Sequence, residues 1–272
     1  MKTDQNAISS QTSGALRASC DNVEVQFALL ALFLVVAVLL IVRAANRDRR
    51  DYRRFKRLKT TRERQLVLGK WLRESFLIFG GLAVAVLLAS WNYIGPASAS
   101  ALKWAPLHYV HTHLNGAFGL GLAIGLGSVF VLVMVVPVVL LRRQLTDVPA
   151  IGDIGSLLPR TRGELKYGAG LSINAGIIEE LLFRLGMPAL LFGITGNGVI
   201  AFAAASLLFG LLHIYQKIWG VLGATLLGLI FTLLYLLTGS IWVVMLVHAL
   251  IDLRSLVLIP LLVKKVWRVA GP

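Results

Sequence analysis

One cysteine, Cys20, stands in the whole sequence, which excludes an intramolecular disulfide, and it lacks the spaced partners of a zinc or redox motif. Acidic residues are also scarce: 13 Asp and Glu face 27 Lys and Arg, for a formal charge of +14. No HExxH pair is present, so the commonest zinc-peptidase signature is absent. Charged residues of both signs make up only 15%, against 57% hydrophobic residues and a mean hydropathy of +0.78. A soluble domain of that composition would expose large apolar patches, whereas several of its runs are long enough to cross a bilayer. The sequence is that of a polytopic membrane protein, all-α by the requirement that backbone groups in lipid be satisfied internally.

The positive charge is concentrated. Between Arg43 and Lys70 there are twelve Lys and Arg against three acids. A cluster of this kind beside an apolar span marks the cytoplasmic face and attracts anionic lipid headgroups. Topology accounts for the charge and no nucleic-acid module accompanies it, so nucleic acid is not an expected partner.

Seven apolar segments are expected as spans, at about 23–42, 72–93, 115–141, 166–192, 199–216, 218–237 and 241–259. With the basic loop 43–70 in the cytoplasm, Arg142, Arg143, Arg160, Arg162, Lys166, Lys217, Lys264, Lys265 and Arg268 fall on the same side. The other side receives the tail 1–22, the segment around Lys103, and the uncharged turns 193–198 and 238–240, an N-out, C-in bundle of about seven spans. The chain then divides into a polar tail 1–22, three spans over 23–164 with the basic loop 43–70, a helical core 165–260 and a basic tail 261–272. The first span ends in arginines, a stop-transfer pattern rather than a cleavage site. Residues 95–113 read as the longest external loop; His108, His111 and His113 there have a metal-like spacing, but no Asp, Glu or Cys stands near them.

Ionisable groups at membrane depth are costly and mark functional sites. Three apolar segments carry them: Glu179 and Glu180 with Arg184, Phe209 with His213, and His248 with Asp252. Glu179 lies about thirteen residues into its helix, roughly 20 Å at 1.5 Å per residue, close to mid-bilayer. Successive helical residues diverge by about 100°, so the two glutamates point apart, while Glu180 and Arg184, four residues apart, share a face. Glu180 is therefore expected to pair with Arg184, which leaves Glu179 to face a cavity as general base. Phe209 and His213 share a face by the same spacing, with Phe209 shaping the cavity. His248 and Asp252 do so as well, as a hydrogen-bonded base and acid or as two ligands of one metal.

The set EELLFR (Glu179 to Arg184), FGLLH (Phe209 to His213) and HALID (His248 to Asp252) resembles the CPBP intramembrane protease family, which includes type II CAAX prenyl proteases and bacterial bacteriocin-processing and immunity relatives. The resemblance extends over roughly residues 165–260. It implies a cavity in which water attacks a peptide bond, with Glu179 activating the water, Glu180 supporting it, Arg184 as the motif arginine, His213 holding the water and His248 stabilising the carbonyl oxygen. Asp252 stands where the prenyl proteases have Asn. An Asn amide donates to an oxyanion and an ionised Asp only accepts, so Asp252 must be protonated, orient His248 or ligate a cation. The family has been described both with and without a metal. If a divalent ion such as zinc is present, Glu179, His213, His248 and Asp252 are its donors.

The expected activity is that of an intramembrane endopeptidase acting on a membrane-associated or lipidated peptide, in a bacterial inner membrane. The other readings open to the sequence are a non-proteolytic immunity or accessory protein of the same fold and a proton-coupled transporter.

Overall fold

The apolar run that begins at Val23 does not stop at its first arginine. In the computed structural model, which describes residues 23–114, 117–144, 155–263 and 265–266, it continues as one helix, α1 (Val23–Phe55). A π-helical turn at Arg43–Asp48 carries it past the charged residues, and Ala44, Tyr52 and Phe55 are buried beyond the apolar run. Residues 56–60 make the turn, and a capping box then starts the next helix. In that box Thr60 Oγ1 accepts from Glu63 N–H, and the Glu63 carboxylate accepts from Thr60 N–H, each at 3.3 Å. The expected basic loop 43–70 is thus two helix ends and a short turn.

Part of its charge is neutralised inside the protein rather than at a lipid surface. Arg64 is fully buried and donates from Nε to both Glu164 oxygens at 3.1 Å, and from Nη2 to the Ser156 and Leu158 carbonyls. Arg43 and Arg47 reach Glu74 at 3.4 and 2.5 Å.

The second helix, α2 (Thr61–Ala101), is also longer than expected, and α3 (Ala105–His113) follows it, so most of the segment expected as an external loop is helical. His108, His111 and His113 lie exposed on α3, and His113 Nδ1 donates to the Tyr109 carbonyl at 2.7 Å. Next come α4 (Ala117–Gln144), α5 (162–195, with a π-helical turn at Leu181–Gly186), α6 (Gly198–Leu211), α7 (Lys217–Thr238) and α8 (Ile241–Leu262). The turns expected at 193–198 and 238–240 are present. Each closes its helix on a left-handed glycine, Gly196 (φ 66°) and Gly239 (φ 63°), a conformation that a Cβ would strain. Cys20, the tail 1–22 and most of the basic tail 261–272 lie outside the described residues.

Among the described residues no strand occurs, and five helices are long and apolar enough to cross a membrane. These are α1, α2, Gly119–Leu140 within α4, α7 with its preceding turn, and α8. The other two expected spans are helical but differ in kind. α6 has 14 residues, about 21 Å at 1.5 Å per residue, which is short of a ~30 Å hydrocarbon core, and α5 carries the charged cluster. Large apolar side chains face outward, among them Leu39 on α1, Leu226 on α7 and Leu246 on α8.

The inward faces form two cores. One joins α1 (Leu29, Val36, Leu40), α2 (Ala83, Val86), α5 (Leu182, Phe183, Met187, Leu190) and α6 (Ala205, Leu208, Phe209). The other joins the end of α2 and α3 to α6, α7 and α8 through Ala101, Leu107, Phe202, Phe231, Tyr235 and Val244. α5 and α6 thus stand at the centre, with α1 and α2 on one flank and α7 and α8 on the other.

Candidate active site

Glu180 and Arg184 sit one helical turn apart where α5 passes into its π-helical turn, and both are fully buried. Arg184 Nε lies 2.9 Å from Glu180 Oε2, and its Nη2 donates to Oε1 at 3.2 Å. The guanidinium is enclosed between the rings of Phe209 (5.0 Å) and Phe231 (5.4 Å), so its charge is met by one carboxylate and two π-faces. The expected pairing of Glu180 with Arg184 is observed.

Glu180 does more than pair. Its Oε1 also accepts from His248 Nδ1 at 2.6 Å, which ties α5 to α8 across 68 positions of sequence. The helices come this close because position 176 is glycine: a Cβ there would lie 2.8 Å from Ala249 Cβ and 2.9 Å from the Met245 carbonyl oxygen. With Nδ1 turned to Glu180, His248 Nε2 faces Asp252 Oδ2 at 3.7 Å and Glu179 Oε2 at 4.0 Å. The hydrogen bond expected between His248 and Asp252 is therefore not formed. Their i, i+4 spacing brings them together, but the imidazole is oriented by the buried carboxylate on the other helix.

At the end of α6 the chain turns, and His213 Nδ1 donates to the Phe209 carbonyl at 2.9 Å. A carbonyl can only accept, so this bond leaves the Nε2 lone pair available to a ligand or a water. The ring packs against Phe209 with centroids 5.0 Å apart.

Glu179, whose carboxylate meets the other edge of the His248 ring from Glu180, lines a cavity of about 110 Å³ together with Phe183, Phe209 and His213. Leu40, Ala44 and Asp48 from α1 and Phe79 from α2, helices that precede the motif-bearing segment, also line it. His248, Asp252, Glu180 and Arg184 do not line the cavity.

Two lining residues went unrecognised in the sequence. Tyr215 lies two positions past His213, with its ring stacked on His213 (6.1 Å, 27°) and its hydroxyl accepting from Gln216 Nε2 at 2.8 Å. Asp48 was counted with the basic loop. Its signal was its place between Ala44 and Tyr52 on a stripe of helical spacing that continues to Phe55, the face that the structure buries.

Of the four donors considered for a metal, Glu179, His248 and Asp252 stand close together, with His248 Nε2 4.0 Å from Glu179 and 3.7 Å from Asp252. Both imidazoles use Nδ1 in protein hydrogen bonds, which leaves Nε2 as the nitrogen that could ligate, although among the described residues no three of these side chains stand in an arrangement ready to hold an ion.

Ionisable groups gathered at this depth of a helical membrane protein mark a candidate functional site. Residues 162–254 match the family model of the type II CAAX prenyl endopeptidases, Rce1-like, and this third of the chain holds all three motifs. That segment is similar to the type II CAAX prenyl endopeptidases, and with five helices long and apolar enough to cross a membrane among the described residues the chain is an integral membrane protein. No curated protein and no solved structure matches the chain.

Proposed function

We propose that the chain is an intramembrane endopeptidase that hydrolyses a peptide bond of a membrane-associated peptide, with Glu179 as the base that activates water. The observation that carries this reading is the division between the adjacent glutamates. Glu180 is fully engaged with Arg184 and His248, while Glu179 lines the cavity beside His213 with no hydrogen bond among the described residues.

In this mechanism a water in the cavity gives a proton to Glu179 and hydrogen-bonds to His213 Nε2, and its oxygen attacks the carbonyl carbon of the substrate. The negative charge that develops on the carbonyl oxygen is met by a donor next to the base, for which His248 Nε2, 4.0 Å from Glu179 Oε2, is the candidate. The carbon–nitrogen bond then breaks as protonated Glu179 returns its proton to the leaving amine. Glu180 and Arg184 are positioning residues that hold the His248 ring from behind. In this reading Glu179 activates the water without a metal. Orientation follows the charge, with the arginine-rich end of α1 and the cavity beside it on the cytoplasmic side.

The test is to purify the protein in detergent, offer it a library of membrane-anchored peptides and identify products by mass spectrometry. Cleavage by the wild type, with kcat at least about 10³-fold lower in Glu179→Gln, is expected. Full activity of Glu179→Gln would refute the role of Glu179.

A further inference from the structure

The cavity has a second carboxylate that the reaction does not use. Asp48, at the end of the π-helical turn of α1, lines the same cavity as Glu179 from a different helix. Its ion-pair contact among the described residues is Arg43 Nε at 3.4 Å, and Arg43 is shared with Glu74, also at 3.4 Å. The Arg43 to Asp48 contact does not have hydrogen-bond geometry, for Arg43 Nε is buried without a hydrogen-bond partner. Asp48 therefore presents its oxygens to the cavity with no protein N–H or O–H bonded to them among the described residues. A partly buried carboxylate in that condition is stabilised by any donor that enters.

The remaining walls determine which donor fits. Leu40 and Ala44 on α1, Phe79 on α2 and Phe183 on α5 are apolar and line the same cavity, and among the described residues no Lys or Arg side chain lines it. An acidic side chain entering it would meet Asp48 and Glu179 together. A long aliphatic side chain ending in a cation would lay its methylenes along the apolar walls and bring its charge to Asp48.

We infer that Asp48 is a specificity-determining residue, and that the cavity accepts a lysine side chain of the substrate close to the scissile bond. The inference rests on the peptidase reading for its reaction and on the cavity alone for its binding. In structural terms the CAAX-protease-like segment provides the reacting groups, and α1, which precedes it, reads the peptide.

The experiment uses the full chain in detergent and a set of membrane-anchored peptides in which one lysine is moved along the sequence. Each peptide is paired with one carrying norleucine, which has the same apolar stem and no charge. For one lysine position the wild type should prefer lysine by about tenfold in kcat/KM, and Asp48→Asn should bring the ratio close to one. Arg43→Gln, which removes the cation competing for Asp48, should raise the ratio instead. Opposite shifts in the two variants are not what general damage to α1 would produce. Asp51→Asn removes the same charge three residues away, from a group that pairs with Arg47 at 3.9 Å and does not line the cavity, and should leave the ratio as in the wild type.

A parallel binding measurement by fluorescence anisotropy uses Glu179→Gln with and without Asp48→Asn. Lysine preference in binding that vanishes with Asp48→Asn supports the inference even if no peptide is hydrolysed, an outcome that would remove the peptidase reading and keep the cation site. Hydrolysis with the same lysine to norleucine ratio in wild type and Asp48→Asn overturns the inference and leaves the peptidase reading intact. Absence of both hydrolysis and lysine-dependent binding overturns both.

Discussion

Replacing each of the adjacent glutamates by Gln should produce opposite phenotypes, because one is an internal anchor and the other a free group. Glu180→Gln preserves size and shape but removes the anion whose oxygens lie 2.9 and 3.2 Å from Arg184 nitrogens. Arg184 is fully buried, and its Nη1 already lacks a hydrogen-bond partner, so only the rings of Phe209 and Phe231 and the field of the Glu179 carboxylate, which makes no hydrogen bond to it, remain to meet its charge. Breaking a buried pair from one side costs about 3–5 kcal/mol. At ~1.4 kcal/mol per factor of ten, that is roughly two to four powers of ten in the folding equilibrium. The loss is a large share of the ~5–15 kcal/mol by which folded chains are ordinarily stable, so Glu180→Gln should also lower membrane yield. Glu179 has no hydrogen bond among the described residues, its one basic contact there is His248 Nε2 at 4.0 Å, and its side chain is 30% exposed. Glu179→Gln should therefore shift stability by less than about 1 kcal/mol while abolishing hydrolysis. The assay is equilibrium unfolding in mixed micelles, followed by tryptophan fluorescence on wild type and both variants at equal protein-to-detergent ratio. An unfolding midpoint for Glu180→Gln equal to that of wild type, or a larger loss in Glu179→Gln, would refute the assignment of anchor and base.

Arg64→Met should destabilise by about 3–5 kcal/mol because it leaves the Glu164 carboxylate buried without its cation, and Arg64→Met with Glu164→Leu should recover most of that loss in the same unfolding assay. Gly176→Ala forces α5 and α8 apart at Ala249 and Met245; it should cost about 1–3 kcal/mol and lower kcat with little change in KM by displacing His248 from Glu180. Asp252→Asn should retain activity within about fivefold and be insensitive to chelators, since Asp252 lies 3.7 Å from His248 Nε2 without a hydrogen bond; stoichiometric bound zinc lost together with activity would show a metal mechanism instead. Cysteine introduced at Leu212 on the cavity wall, in a Cys20→Ser background, should react with a water-soluble maleimide added from the cytoplasmic side; labelling only from outside would reverse the proposed orientation.

Local periodicity made part of the site readable before the structure. Glu180 with Arg184 and Phe209 with His213 are one-turn relations within single helices, and sequence spacing determines those. The same rule brought His248 and Asp252 together but could not say which atoms would bond, because Glu180, on another helix, takes the imidazole nitrogen. Contacts across helices depend on packing, and the packing turns on a feature as small as the missing side chain of Gly176. Charge was the misleading signal. Residues 43–70 were read as a solvated loop from their arginines, although Ala44, Asp48, Tyr52 and Phe55 follow a helical stripe, and Arg64 and Glu164 complete a buried pair 100 residues apart.

The division between what the family resemblance reaches and what it does not has a physical basis in the cavity. Glu179 and His213 lie within 162–254, and in the proposed reaction the geometry of attack on a peptide carbonyl would constrain their type and spacing closely. Leu40, Ala44, Asp48 and Phe79 lie outside that segment on α1 and α2, and in the same proposal they would meet what flanks the bond being broken. Those contacts need only match the substrate in shape and charge, and many sequences can do that on a helix of the same length. A motif search therefore reaches Glu179 and His213 and misses Asp48. The proposed selectivity rests on the structure, which brings Asp48 and Glu179, 131 positions apart in the chain, to one cavity.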